Sequence, residues 1–173
     1  MKLLFIYDNK LFIGSNNGLY IYDVRDSDHP VYISEYQHIT SCDPVIVSGN
    51  YAFVTLRSGN NCFGNVNELN VVSLENIESP KLVKAYNMFN PHGLGIDDNL
   101  LFICDGSAGL KIYDASDVSK IDENLIKHFE NIQTFDVIPY NDVLIMTGSD
   151  GIYQYDYSDI QNIKEISHII INP

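Results

Sequence analysis

Tryptophan is absent from the 173 residues, cysteine and methionine occur three times each, and only 10 basic side chains stand against 23 acidic ones. Three cysteines do not make a disulfide framework. A formal charge of −13 repels phosphate backbones and anionic lipid heads, so nucleic acid is not an expected partner. The same charge tolerates cationic ligands or divalent metals, or serves solubility alone. No apolar run approaches the roughly 20 residues that span a bilayer. The opening Met1-Lys2-Leu3-Leu4-Phe5-Ile6-Tyr7-Asp8 gives out too early for a signal peptide, and taken literally the chain would stay in the cytoplasm. Also missing are Gly-x-Ser-x-Gly, His-Glu-x-x-His, a phosphate loop and Cys-x-x-Cys, which removes the common catalytic constellations. No stretch of helical period is long enough to announce a helix.

What the chain has instead is short runs of Ile, Val, Leu, Tyr and Phe bounded by Asn, Asp, Gly and Ser, the composition of strands and turns. These runs repeat. Gly18-Leu19-Tyr20-Ile21-Tyr22-Asp23 returns as Gly109-Leu110-Lys111-Ile112-Tyr113-Asp114 and as Gly151-Ile152-Tyr153-Gln154-Tyr155-Asp156, with a weaker copy at Glu68-Leu69-Asn70-Val71-Val72-Ser73. A period of about 40 to 50 residues with strand-like content points to propeller blades.

Each copy carries an earlier run, namely Leu11-Phe12-Ile13, Ala52-Phe53-Val54, Leu101-Phe102-Ile103 and Leu144-Ile145-Met146. Before each sits a turn pair: Asp8-Asn9, Gly49-Asn50, Asp98-Asn99 and Asn141-Asp142. Asn, Asp and Gly accept the positive φ of tight hairpins, so the flanking runs pair antiparallel. With one strand upstream and another after the shared Asp, four strands per copy make a meander. The third strand is apolar on nearly every residue, so both its faces must be covered, as in sheets packed around an axis. The expected fold is therefore all-β: a single β-propeller region over 1–173, with four antiparallel four-stranded blades at approximately 3–38, 42–88, 92–131 and 134–171. It closes as a small ring or forms part of a larger one.

Asp23, Asp114 and Asp156 each open a phrase Asp-x-x-Asp, and Ser73 to Asn76 takes that place in the second copy. Such side chains accept backbone N–H groups and stop a strand. Calcium ligation is the alternative.

At these residues the chain resembles the LVIVD-repeat family, whose unit runs through a Gly-Leu-x-Ile-x-Asp strand, then Ser-x-Pro and a closing strand. Asp23 to Pro30 and Ser73 to Pro80 keep the Pro; the later copies have Lys120-Ile121 and Asn162-Ile163 instead. More narrowly, the chain looks like the C-terminal part of Bacteroidetes-type LVIVD surface lipoproteins. The phrases that carry this are Ser41-Cys42-Asp43-Pro44-Val45, Thr55-Leu56-Arg57-Ser58-Gly59, Asn90-Pro91-His92-Gly93-Leu94-Gly95-Ile96 and Tyr153-Gln154-Tyr155-Asp156-Tyr157-Ser158. The resemblance implies a longer, exported protein held at the outer membrane or cell surface, although this chain has neither a lipoprotein signal nor the additional blades.

Function is expected where one blade departs from the others. Asp43 aligns with His92 and Phe135, and Pro44 with Gly93 and Asp136. The loop Arg57 to Asn67 is far longer than its counterparts and opens at the same end. Asp43, Arg57, His92, Asp105 and Asp136 are thus candidate ligand-binding residues at a channel mouth, suited to a polar ligand or a divalent metal; no other cofactor is implied. In an exported protein Cys42 and Cys62 pair as a disulfide, and in a reducing cell they stay as free thiols. Cys104, within a core strand, reads as a small buried hydrophobe. The leading functional expectation is a non-catalytic, surface-associated scaffold that binds protein or glycan. The alternative is a metal-dependent hydrolase or lyase using the Asp/His cluster. Two chains joining as a homodimer would complete a larger, eight-bladed ring and cover the terminal faces.

Overall fold

A computed structural model of the chain describes residues 4–15, 17–37, 44–59 and 65–171. These form four separate four-stranded sheets, each with its strands in chain order and every neighbouring pair antiparallel. The first sheet holds β1 (Leu4–Tyr7), β2 (Lys10–Ser15), β3 (Gly18–Asp23) and β4 (Val31–Gln37). The second holds β5 (Val45–Ser48), β6 (Tyr51–Leu56), β7 (Glu68–Ser73) and β8 (Lys81–Asn87). The third holds β9 (Leu94–Asp97), β10 (Leu100–Cys104), β11 (Leu110–Asp114) and β12 (Leu125–Phe129). The fourth holds β13 (Thr134–Tyr140), β14 (Val143–Gly148), β15 (Gly151–Asp156) and β16 (Lys164–Ile170). A 3-10 turn at Ile121–Glu123 precedes β12. Among the described residues no helix is long and apolar enough to cross a membrane.

Local chemistry explains the shared outline. The first hairpins turn through residues of positive φ: Asp8 and Asn9, Gly49, Asp98, and Asn141 with Asp142. Asp, Asn and Gly tolerate that region best, and the turns it makes match the strands' right-handed twist. Between the third and fourth strands the register slips by one residue in every sheet, after Ile21, Val71, Ile112 and Gln154. The extra residue on the fourth strand bends it and increases the local twist.

The phrase that closes each third strand is a pair of consecutive side-chain turns. Asp23, Ser73, Asp114 and Asp156 accept the N–H of Arg25, Glu75, Ser116 and Ser158. Three residues on, Asp26, Asn76, Asp117 and Asp159 do the same for Asp28, Glu78, Ser119 and Gln161. Turn-making is how the structure uses these side chains.

The chain divides into two compact units, Met1–Met88 and Phe89–Pro173, each holding two sheets. In the first, Phe12, Leu19 and Ile21 of sheet one pack with Val45, Val47, Ala52, Val54 and Val72 of sheet two. In the second, Phe102, Leu110 and Ile112 of sheet three pack with Val137, Leu144, Met146, Tyr153 and Tyr155 of sheet four. Alternate residues of a strand point to opposite faces. One rule therefore serves both units. Leu19 and Ile21, like Leu110 and Ile112, face the following sheet, and Val72, like Tyr153 and Tyr155, faces the preceding one.

Candidate functional site in the second unit

His92, Asp105 and Asp136 lie at one end of the second unit's sheets, where β9 and β13 begin and β10 finishes. Asp43, Cys42 and Cys62 lie outside the described residues. Arg57 directly follows β6 in the first unit and is partly buried. His92, Asp105 and Asp136 all belong to the second unit.

Asp105 follows β10 and is fully buried. Lys111, projecting from the adjacent β11, places its ammonium 2.6 Å from one carboxylate oxygen. The backbone N–H groups of Phe89 and Asn90 donate to the same carboxylate, Asn90 at 2.7 Å. A buried carboxylate is tolerated only when paired and hydrogen-bonded, and this one has both kinds of partner. Its chemistry is spent on holding the Phe89–His92 segment against the β10–β11 turn. That turn is tight: Gly106 sits at φ +62 and bonds through its carbonyl to Thr134 N–H.

His92 and Asp136 border the two entering strands. The N–H of His92 donates to the Cys104 carbonyl at 2.7 Å, and Gly93 N–H reaches across to the Phe135 carbonyl at 2.8 Å. The His92 ring meets the Phe135 ring edge to face, 5.4 Å between centroids. A Cβ on Gly93 would collide with the Asp136 carboxylate and stand 2.8 Å from its Cα, so only glycine admits this approach. Asp136 turns one oxygen to the N–H of Val137. The structure thus brings His92 and Asp136 to neighbouring strand ends, whereas Asp105 is sealed beneath them. Among the described residues no three His, Cys, Asp or Glu side chains come together as metal ligands.

Sequence reasoning passed over four participants. Lys111 replaces the Tyr20, Asn70 and Tyr153 of the other repeats, and a cation inside a core strand signals a buried anion nearby. Phe89 is 60% exposed and Phe135 is 36% exposed, although both are large and apolar. His168 of β16 stacks on Tyr153 with ring centroids 3.8 Å apart. The Tyr153 hydroxyl donates to Asp150, and burial together with that carboxylate pushes the phenol up to about 12. Cys104 is fully buried, and burial holds its thiol far above the ordinary range.

No protein-family model matches the chain, and no curated protein matches it. Solved structures do. The N-terminal domain of Nup159 aligns with 99% of this chain and 44% of its own, at TM-score 0.67 and 16% identity. BamB from Moraxella catarrhalis aligns with 98% of this chain and 49% of its own, at TM-score 0.65 and 13% identity. AztD from Citrobacter koseri aligns with 95% and 46%, at TM-score 0.63 and 12% identity. All three are β-propellers. The chain has the β-propeller fold, built from four-stranded blades. It spans less than half the length of these chains, and at such identities the likeness concerns fold alone.

Proposed function

We propose that this propeller segment is a non-catalytic binding scaffold that takes a protein or a glycan at the strand-entry end of its third and fourth blades. The observation that carries the reading is the pair of exposed aromatics there: Phe89, whose N–H donates to buried Asp105, and Phe135, whose carbonyl accepts from Gly93 N–H. Exposed rings on a rigid support supply large contact area at small entropic cost, and aromatic faces suit both protein anchors and sugar rings. Nearby Asn90 and His92 add hydrogen-bonding groups 3.4 Å from each other. The kind of role has a parallel in a matched fold, since S. cerevisiae Dbp5 has been solved bound to Nup159. The LVIVD resemblance supports a setting on an exported protein at the outer membrane or cell surface, where Cys42 and Cys62 would form their disulfide.

The test is a glycan array and a cell-surface protein panel probed with the wild-type chain, then with Phe89→Ala, His92→Ala and Phe135→Ala. Loss of a bound ligand in these variants, with the circular dichroism unchanged, supports the scaffold. Turnover that requires a divalent metal and vanishes in His92→Ala would replace it with the hydrolase or lyase reading.

A further inference from the structure

We infer that the two terminal sheets are docking faces for one another across two copies of this chain. The β1–β4 sheet turns Leu4, Ile13 and Tyr20, and beside them Ile6, Leu11, Tyr22 and Tyr32, to one face. On that face Leu4 and Ile6 are 60% and 69% exposed. The corresponding positions of the fourth sheet are Val137, Met146 and Tyr153, then Leu144 and Tyr155, and every one of them is buried against sheet three. The repeat therefore says what the first face is shaped to meet: the following-side face of another blade.

The fourth sheet offers such a face. Ile145 stands where Phe12 and Phe102 stand in blades one and three, and Ile152 where Leu19 and Leu110 stand. Those four residues are buried under the next sheet within their own unit. Around Ile145 and Ile152, Ile138 and Ile169 are left 43% and 59% exposed. Gln154 and Ser167, the polar residues beside Ile145 in the same row, bond to each other, Ser167 Oγ donating to the Gln154 side-chain oxygen at 2.8 Å.

One chain thus carries one face of each kind, and an end-to-end contact of this sort is satisfied at both ends when two copies close on each other. The length of the occupant agrees, because the matched propellers are each about twice this chain, which spans 44–49% of them. Contiguous exposed apolar surface of this kind marks an interaction site, and four paired strands leave a flat sheet face rather than an edge.

The experiment is light scattering on the 173-residue chain during size exclusion, with Ile6→Lys and Ile138→Lys as variants. The wild type is expected at twice 19.6 kDa, and each variant alone at 19.6 kDa with an unchanged far-ultraviolet spectrum. Mixing the two variants restores a dimer, since each keeps the face the other has lost; this arm holds even if one variant is less stable alone. A wild-type monomer at the highest soluble concentration, a mass beyond two copies, a dimer indifferent to both charges, or a mixture that stays monomeric overturns the proposal. The monomer outcome would assign the faces to further blades of a longer polypeptide.

Discussion

Lys111 Nζ lies 2.6 Å from the carboxylate of Asp105, a residue with no solvent exposure at the end of β10. The pair decides how the lead-in to the third blade is held. Removing only one member of a buried ion pair leaves an uncompensated charge, which costs about 3–5 kcal/mol. Lys111→Met is expected to lose that much in urea unfolding. Asp105→Ala is expected to stay destabilised even in the Lys111→Met background, because Phe89 and Asn90 N–H lose their acceptor at about 1–3 kcal/mol each. Equal stability of the double variant and wild type would refute the anchoring role.

Gly93 faces a different constraint, steric rather than electrostatic. Its missing Cβ makes room for Asp136, whose Cα stands 2.8 Å from where a methyl would sit. Gly93→Ala is expected to cost about 1–3 kcal/mol by forcing β9 off β13. Trimming the neighbour in Gly93→Ala/Asp136→Ala is expected to recover little, because the Asp136 backbone stays in place. Thermal melts of the two variants check both statements.

Tyr157, buried after β15, donates its hydroxyl to Asp97 of β9 at 2.7 Å and stacks edge to face on Phe102. This ties blade four to blade three. Tyr157→Phe keeps the ring and removes one hydrogen bond to a charged acceptor, an expected loss of about 2 kcal/mol. Chemical denaturation measures it.

Both ends of the pH scale follow from the same geometry. Asp23 is held below its ordinary 3.8 by the Arg25 guanidinium and N–H, Asp114 by the Ser116 N–H and hydroxyl, and Asp156 by the Ser158 hydroxyl and N–H. A carboxyl depressed in the folded state contributes stability above its unfolded value and loses it as pH falls through the folded one. Melting temperature should therefore drop below pH 3.8, and Asp114→Asn should flatten that slope. Tyr113 and Tyr153 are pushed up to about 12, chiefly by burial. A phenol raised in the folded state contributes below about 10 and loses that contribution as pH climbs. Titration of tyrosinate absorbance should show these rings ionising late, together with unfolding.

The blades were legible because their determinants are local. A turn pair such as Asp8-Asn9 or Asn141-Asp142 specifies its own positive φ, and each closing Asp accepts a bond only two residues away. Alternation then fixed which residues share a face. The candidate site was less legible because its meaning lies in depth. Asp105 and His92 are both polar and both break the repeat, yet one is sealed under Lys111 and the other borders an exposed ring. Sequence spacing carries no measure of that burial. The aromatic surface was missed for the converse reason: Phe89 and Phe135 resemble core residues in composition, and only the packed sheets show that both rings stay exposed.

Interstrand nuclear Overhauser contacts on the isotope-labelled chain test the account most directly. Backbone contacts should link Ile13 with Tyr20 and Tyr20 with Glu35, Ile103 with Lys111 and Lys111 with His128, and Met146 with Tyr153 and Tyr153 with His168. Every ladder would then fall within one segment of about forty residues. Ladders joining strands of different segments, or the sequential contacts of a helix through any of them, would contradict it.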